Sequence, residues 1–189
     1  STLTANTTGY ANTAVGYNAL CTHTTGNSNT AVGDHAMKLT TTGTFNVAVG
    51  DNALCANTTA SSNVAIGRDS LFANTTGACN VSVGALSLDA NTTGSGNVGI
   101  GQQSLTSVTT VSDLTGVGRC ALEANTSGTE NVAVGAYAMR ENEDGDKNSA
   151  LGYAALQVNT SGCHNTSIGY FSLNANTTAS CNTAIGKSA

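Results

Sequence analysis

The sequence contains no proline and no tryptophan, and aromatic residues make up only 4% of it and charged residues only 9%. A chain of 189 residues with so few large side chains cannot fill the thick core of an ordinary globular domain. Its low charge and regularly placed apolar residues also separate it from intrinsically disordered chains. Six lysine and arginine residues stand against eleven acidic ones, which argues against nucleic acid as a partner. No run of about 18 apolar residues occurs, so we predict no insertion into a membrane.

Glycine recurs at a fixed interval of 17 residues along the whole chain. The eleven glycines of this column are Gly16, Gly33, Gly50, Gly67, Gly84, Gly101, Gly118, Gly135, Gly152, Gly169 and Gly186. The unit around them reads Asn-(Thr/Val)-Ala-(Val/Ile)-Gly-x-x-(Ala/Ser)-Leu-x-x-Asn-Thr-Thr-Gly-x-x. Seventeen residues are too few for a pair of helices, but they suit one coil of two short strands joined by turns. We therefore predict an all-β fold over residues 1–189, a single parallel β-solenoid, or β-roll, of eleven 17-residue coils.

Alternation along the strand divides each repeat into two faces. In the copy that begins at Asn46, Val47 and Val49 share one face, which we expect to meet Leu54 inside the coil. The other face, which contains Ala48, is small and nearly free of charge in every copy. We expect other copies of the chain to cover this second face, so that Ala48→Glu disrupts assembly. The alternative is that small residues merely suit a narrow, flattened coil.

The asparagine that opens each copy predicts a ladder of stacked side-chain amides, each bonding the amide above and below it. The members of this column are Asn12, Asn29, Asn46, Asn63, Asn80, Asn97, Asn131, Asn148, Asn165 and Asn182. Leu114 is the only break in the column.

The segments 12–16, 63–67 and 131–135, each followed by two residues and then alanine or serine, resemble the head repeats of trimeric autotransporter adhesins. They are also similar to repeat regions of phage and large-virus tail fibres. The resemblance covers the whole chain, although its coils are longer than is usual for adhesin heads and carry a distinct Asn-Thr-Thr-Gly turn. It implies a left-handed roll, a homotrimer, and an extracellular place on a virion or bacterial surface, with any receptor-binding tip outside this chain. Because the chain starts and stops within a repeat, we expect it to be an excerpt of a longer fibre.

No acid, base and nucleophile recur close together, so we predict no enzyme activity and no catalytic, cofactor-binding or metal-binding residues. His23, His35 and His164 lie far apart in the sequence. The acidic turn at 141–146 offers carboxylates to a calcium ion but lacks EF-hand spacing, and a solvated loop is the favoured interpretation.

The six cysteines include no Cys-x-x-Cys pair, which argues against a zinc site. Cys163 and Cys181 alone occupy near-adjacent positions on neighbouring coils, and mostly free thiols are expected. An irregular turn places Val108 and Val111 where other coils have asparagine and glycine. These valines form either an exposed contact point or a locally repacked turn. Six sequons would carry glycans along one edge in a secretory route: Asn57, Asn74, Asn91, Asn125, Asn159 and Asn176.

Two classes of function follow from this pattern. The first is a structural fibre or adhesin segment, a stiff oligomeric rod that extends or presents a binding tip. The second is an ice-binding solenoid, because ranks of threonine on a regular rod of low charge can match a crystal lattice. The main threonine column contains Thr7, Thr24, Thr41, Thr58, Thr75, Thr92, Thr109, Thr126, Thr160 and Thr177. Against ice binding, Glu143 and Asp144 interrupt the threonine ranks.

Overall fold

The structure, a computed structural model, describes residues 2–189 as a parallel β-solenoid. Each coil contributes one strand of three residues, and the eleven strands form a single sheet in sequence order. The strands β1 to β11 are Thr13–Val15, Thr30–Val32, Val47–Val49, Val64–Ile66, Val81–Val83, Val98–Ile100, Thr115–Val117, Val132–Val134, Ser149–Leu151, Thr166–Ile168 and Thr183–Ile185. Within the described residues, no helix is long and apolar enough to cross a membrane.

Neighbouring strands pair in parallel with a shift of one whole repeat. Ala48 of β3 lies opposite Ala65 of β4, and the Val47 amide donates to the Asn63 carbonyl at 2.8 Å. Since parallel strands lie about 4.8 Å apart, eleven coils make a rod about 50 Å long. The predicted all-β solenoid is thus confirmed.

The segment around the leucine column is not the second strand that the sequence predicted. It is a turn in which residues alternate between ordinary and left-handed backbone, with φ of 54° at both Asn52 and Leu54. Coils still bond to each other here, because the Leu54 amide donates to the Ser70 carbonyl at 2.9 Å. A β-branched side chain is strongly disfavoured at such a φ. This explains why the column holds only leucine and methionine, whereas the strands hold valine and isoleucine.

The interior of the coil is formed by the face of the strand that was predicted to be outside. Ala48 and Leu54 are both fully buried and belong to one hydrophobic core that runs through the rod. Val49 is 36% exposed, and Val47 is half-buried. The expectation that Val47 and Val49 meet Leu54 inside the coil is therefore wrong. The turn brings the leucine so close to the strand that only a small residue fits between them: a Cβ added to Gly99 would lie 3.1 Å from Leu88 Cγ.

The glycine that follows each strand is required by both backbone conformation and space. Gly50 has a φ of 139°, which side-chain-bearing residues rarely adopt. A Cβ at Gly50 would lie 2.5 Å from the carbonyl oxygen of Gly67 in the next coil. The close stacking of coils at this corner therefore excludes any other residue.

Asparagine side chains form two buried ladders, which we call the strand ladder and the turn ladder. In the strand ladder, the Asn46 Nδ2 donates to Asn29 Oδ1 at 3.1 Å and to the Ala60 carbonyl at 2.9 Å. The predicted amide ladder is thus confirmed. The turn ladder consists of the asparagines of the Asn-Thr-Thr-Gly turns, as in the 2.9 Å bond from Asn91 Nδ2 to Asn74 Oδ1. Both ladders close the coil, since the Asn63 and Asn74 amides each donate to the Gly77 carbonyl at 2.9 Å.

The irregular turn is a local repacking and not an exposed contact point. Val108 replaces a turn-ladder asparagine and Leu114 replaces a strand-ladder asparagine, and both side chains are fully buried. Val111 is partly buried against the same core. Three aliphatic side chains thus substitute together for the Asn-Gly-Asn set of the other coils.

Candidate functional site

The outward face of the sheet is a long surface without charged residues. We call it the outer stripe, and it consists of the first and third residues of strands β1 to β11. Its large apolar members with more than about a third of their surface exposed are Val15, Val49, Ile66, Ile100, Val132, Leu151, Ile168 and Ile185. The remaining positions hold valine, threonine or one serine, Ser149.

The outer stripe contains no charged residue at any of its positions. It is two side chains wide, and at about 4.8 Å per strand it runs for about 50 Å. With the two ranks about 7 Å apart along each strand, the area between them is roughly 350 Å², within the range of the largest apolar patches on typical monomers. A patch of this size and uniformity is typical of a surface that binds another macromolecule.

A polar and aromatic rim borders the stripe on the side of the glycine column. Tyr153 and Tyr170, each following a glycine of that column, stack with ring centroids 5.4 Å apart. Arg119 lies 4.6 Å from the centre of the Tyr137 ring, which makes a cation–π contact. The apolar centre of the outer stripe and its polar and aromatic rim together resemble the usual arrangement of a protein–protein interface.

The threonine columns proposed for ice binding lie on the turn and not on the sheet. In most turns the Oγ1 of the first threonine donates to the backbone carbonyl of the next coil, as Thr58 does to Thr75 at 3.1 Å. This bond fixes the side-chain conformation and occupies the hydroxyl proton. The second threonine of the turn is exposed, as at Thr59 and Thr76.

The sequon asparagines are the members of the turn ladder. Asn57, Asn74, Asn91, Asn125 and Asn159 are fully buried. Their Nδ2 groups donate hydrogen bonds inside the coil, for example from Asn125 to the Gly128 carbonyl at 2.9 Å. These five side chains are therefore not accessible for a glycan on the folded rod.

All six cysteines are free thiols, including Cys163 and Cys181. Burial raises the pKa of the Cys55 thiol, and the ammonium of Lys38 opposes this only in part. Burial also raises the pKa of the Cys120 thiol, and the neighbouring Glu123 adds to the shift. Since the thiolate is the reactive form, these two cysteines are poor nucleophiles.

The acidic turn at 141–146 does not gather its carboxylates around a common point. Glu143 and Asp144 are exposed, whereas Asp146 accepts hydrogen bonds from the Thr129 amide at 2.7 Å and the Thr129 hydroxyl at 2.8 Å. These bonds hold the pKa of Asp146 below its usual range. The turn is therefore a solvated loop that is attached to the neighbouring coil by the hydrogen bonds of Asp146.

The three histidines occupy different environments. His23 is buried in the turn ladder, where its Nε2 bonds to the Gly26 carbonyl at 2.8 Å, as an asparagine does elsewhere. His164 is exposed. His35 lies beside two aspartates, Asp34 and Asp51, and within residues 2–189 this is the one group of three potential metal ligands whose ligand atoms lie close together. Spacing between the histidines alone does not reveal this group, because its other two ligands are aspartates on neighbouring coils.

Comparison with known proteins gives no relative for this chain. No protein-family model matches it, no curated protein matches it, and no solved structure matches it. The function must therefore be argued from the surface itself.

Proposed function

We propose that this chain is a segment of a structural fibre, in which the outer stripes of several copies pack against one another. The observation that carries the proposal is the uncharged outer stripe, whose third strand position is valine, isoleucine or leucine in all eleven strands. Removing apolar surface from water contributes about 25 cal/mol per Å² before the costs of association are subtracted. A stripe of this size on each copy is smaller than the roughly 800 Å² per partner of a standard interface, so the contact within one 189-residue segment is a small one.

A second copy of the chain is the partner that best fits the stripe. The strands of every copy repeat at the same rise, so two parallel rods keep the same spacing of side chains along their whole length. The stripe carries no charge that would require a complementary partner or cause repulsion between copies. A foreign globular protein would cover only part of a surface about 50 Å long.

We propose that the assembly is a homotrimer of left-handed rolls at the surface of a virion or a bacterial cell. The support for these finer points is the resemblance of the Asn-x-Ala-x-Gly repeats to adhesin heads and tail fibres. In such an assembly the rod acts as a stiff spacer that extends a binding tip located elsewhere in the fibre. The proposal assigns the chain no catalytic reaction.

The oligomeric mass in solution tests this function, with two glutamate substitutions as a matched pair. Val49→Glu places a charge in the middle of the outer stripe, whereas Thr59→Glu places the same charge on the exposed turn. By sedimentation velocity, we expect the wild type and Thr59→Glu to be trimers and Val49→Glu to dissociate while keeping its β circular dichroism. A wild type that sediments as a folded monomer at all concentrations would contradict the proposal, as would a Val49→Glu variant that stays trimeric.

The sequence-based expectation that Ala48→Glu disrupts assembly is wrong, because the Ala48 side chain does not lie on the outer surface. Ala48 is buried inside the coil, so a glutamate there disrupts folding and reports nothing about assembly. This variant serves as the control for loss of fold, against which dissociation of folded chains can be recognised.

Ice binding is the second candidate function, and it is favoured by the ordered threonines of the turns. The hydrogen bond from most of the first threonines to the next coil holds that rank in one conformation, as at Thr75 and Thr92. A thermal hysteresis assay distinguishes the two functions. Hysteresis that is lost in Thr59→Glu but kept in Val49→Glu would favour ice binding over the fibre.

A further inference from the structure

We propose that Asp34, His35 and Asp51 form a binding site for a divalent transition-metal ion, with Zn²⁺ as the representative ion. Asp34 and Asp51 occupy the same column on neighbouring coils, and His35 follows Asp34 in the sequence. The imidazole nitrogen and the carboxylate oxygens all lie within 4.8 Å of one another. Ligand atoms in a tetrahedral zinc site lie roughly 3.4 Å apart, so small rotations of these accessible side chains complete the site.

The backbone around the group is held in place by bonds between coils. The Asn52 amide donates to the Asp34 carbonyl at 2.9 Å, which fixes the stacking of the two aspartates. The His35 amide donates to the Tyr17 carbonyl at 2.8 Å. The Tyr17 ring also packs edge-on against the imidazole, with centroids 5.5 Å apart. The ligands therefore stand on a rigid part of the rod, which is what a metal site requires.

The charges of the group match a divalent cation. Two carboxylates and a neutral imidazole carry a total charge of −2, which a divalent ion neutralises. The next residue in the aspartate column is Arg68, and its guanidinium bonds to Asp69 at 2.6 Å. Imidazole favours zinc and its neighbours in the first transition series over magnesium and calcium, which prefer oxygen ligands alone.

The other side of the imidazole provides a partner that orients it. Asn18 Nδ2 lies 3.5 Å from His35 Nε2, and His35 Nδ1 lies 3.1 Å from Asp34 Oδ1. When Nδ1 binds the metal, its proton is displaced and Nε2 carries the remaining ring proton. Rotation of the Asn18 amide then presents its oxygen to that N–H, in the way that outer-shell acceptors fix metal-binding histidines.

Titration calorimetry of the 189-residue chain with Zn²⁺ tests the site, with His35→Gln and Asp51→Asn as the disrupting variants. His164→Gln is the matched control, because His164 is exposed and lies outside the group. All variants keep the six cysteines, so any binding of zinc by thiols is common to them. We expect the wild type and His164→Gln to bind one more equivalent of Zn²⁺ than His35→Gln, or to bind it at least tenfold more tightly.

Two further measurements keep the test decisive. Since the ion would bridge two neighbouring coils, Zn²⁺ should raise the melting temperature of the wild type more than that of His35→Gln. Co²⁺ should give visible absorption bands in the wild type that are lost in Asp51→Asn. Identical zinc isotherms for the wild type and His35→Gln would overturn the proposal, and so would calcium binding of equal strength that persists in His35→Gln.

Discussion

Asn91 and Val108 are neighbours in the turn ladder, and this pairing leaves the buried Asn91 Oδ1 without a hydrogen-bond donor. In a regular step the following residue supplies the donor, as Asn142 does for Asn125 at 2.9 Å. A buried acceptor without a partner costs about 1–3 kcal/mol. Leu114 replaces an asparagine of the strand ladder in the same coil in which Val108 replaces one of the turn ladder. We infer that the apolar packing of these two side chains offsets the loss of the amide hydrogen bonds.

We predict that Val108→Asn and Leu114→Asn are strongly coupled. Val108→Asn supplies the donor that Asn91 Oδ1 lacks but buries its own amide beside Val111 and Leu114, and Leu114→Asn buries an amide beside Val108. We expect the buried amide to dominate, so that each single variant lowers the free energy of unfolding. The double variant returns asparagine to both ladders, with Val111 unchanged between them, and should be more stable than the sum of the single effects by about 1 kcal/mol or more. Urea denaturation of the four proteins in a double-mutant cycle measures the coupling. Strictly additive effects would show that the two positions do not share one packing unit.

Leu54 and Asp51 belong to the same coil but differ in burial, since Leu54 is fully buried and Asp51 is exposed. Leu54→Ala should cost about 2–5 kcal/mol, because it leaves a cavity in the core and weakens both neighbouring coils. Asp51→Ala, measured without added metal, should change stability by less than about 0.5 kcal/mol. Thermal melts compare the two variants, and equal melting temperatures would mean that the interior of the coil has been misidentified.

The left-handed backbone at Leu54 leads to a sharper prediction about side-chain shape. Leu54→Met should be nearly neutral, because Met37 and Met139 occupy the same column with φ of 50° and 47°. Leu54→Ile has the same volume as the wild type but is branched at Cβ. It should be at least about 1 kcal/mol less stable than Leu54→Met in chemical denaturation. If the two variants have the same free energy of unfolding, the backbone conformation of this turn does not determine which residue occupies position 54.

The sequence predicted the solenoid, its period and the buried leucine, because these depend only on repetition and hydrophobicity. It also contained the clue to the correct inner face. Asn46 and Ala48 lie on one face of the strand, so a buried ladder of asparagines places the alanine inside as well. The prediction failed because Val49 was taken to be interior on hydrophobicity alone. The surface that we propose for assembly therefore lies on the face opposite to the one expected from the sequence.

The turn around Leu54 was harder to predict from the sequence. Hydrophobic periodicity cannot distinguish a short strand from a turn of alternating backbone hand. The available signal was the absence of valine and isoleucine from the leucine column, in a chain rich in both. The metal-ligand group was visible as well, since Asp34 and Asp51 are one repeat apart and His35 is adjacent. Searching for ligands across neighbouring coils, and not along the chain, would have found it.

Asp146 provides a prediction about pH. Its pKa is lowered in the folded rod by the hydrogen bonds from Thr129, so the ionised form stabilises the fold. That contribution is fully present above the unfolded pKa of about 4 and is lost as the pH falls through the lower folded value. Asp146→Ala should therefore lower the melting temperature at pH 7 by more than it does at pH 2. Thr129→Val keeps the amide donor and should show a smaller effect of the same sign. If Asp146→Ala lowered the melting temperature equally at pH 7 and pH 2, the ionised carboxylate would not be the stabilising form.

The glycine column has a consequence for how such a gene can change. Every coil must place its glycine directly under the carbonyl of its neighbour, as Gly50 does with Gly67. The insertion or loss of a single codon gives one coil sixteen or eighteen residues, so that its strand and its glycine cannot both stack on those of its neighbours. A duplication or deletion of seventeen codons leaves all contacts in register. The length of the rod can therefore evolve by recombination in whole-coil steps of about 4.8 Å, without any new side-chain packing having to be selected.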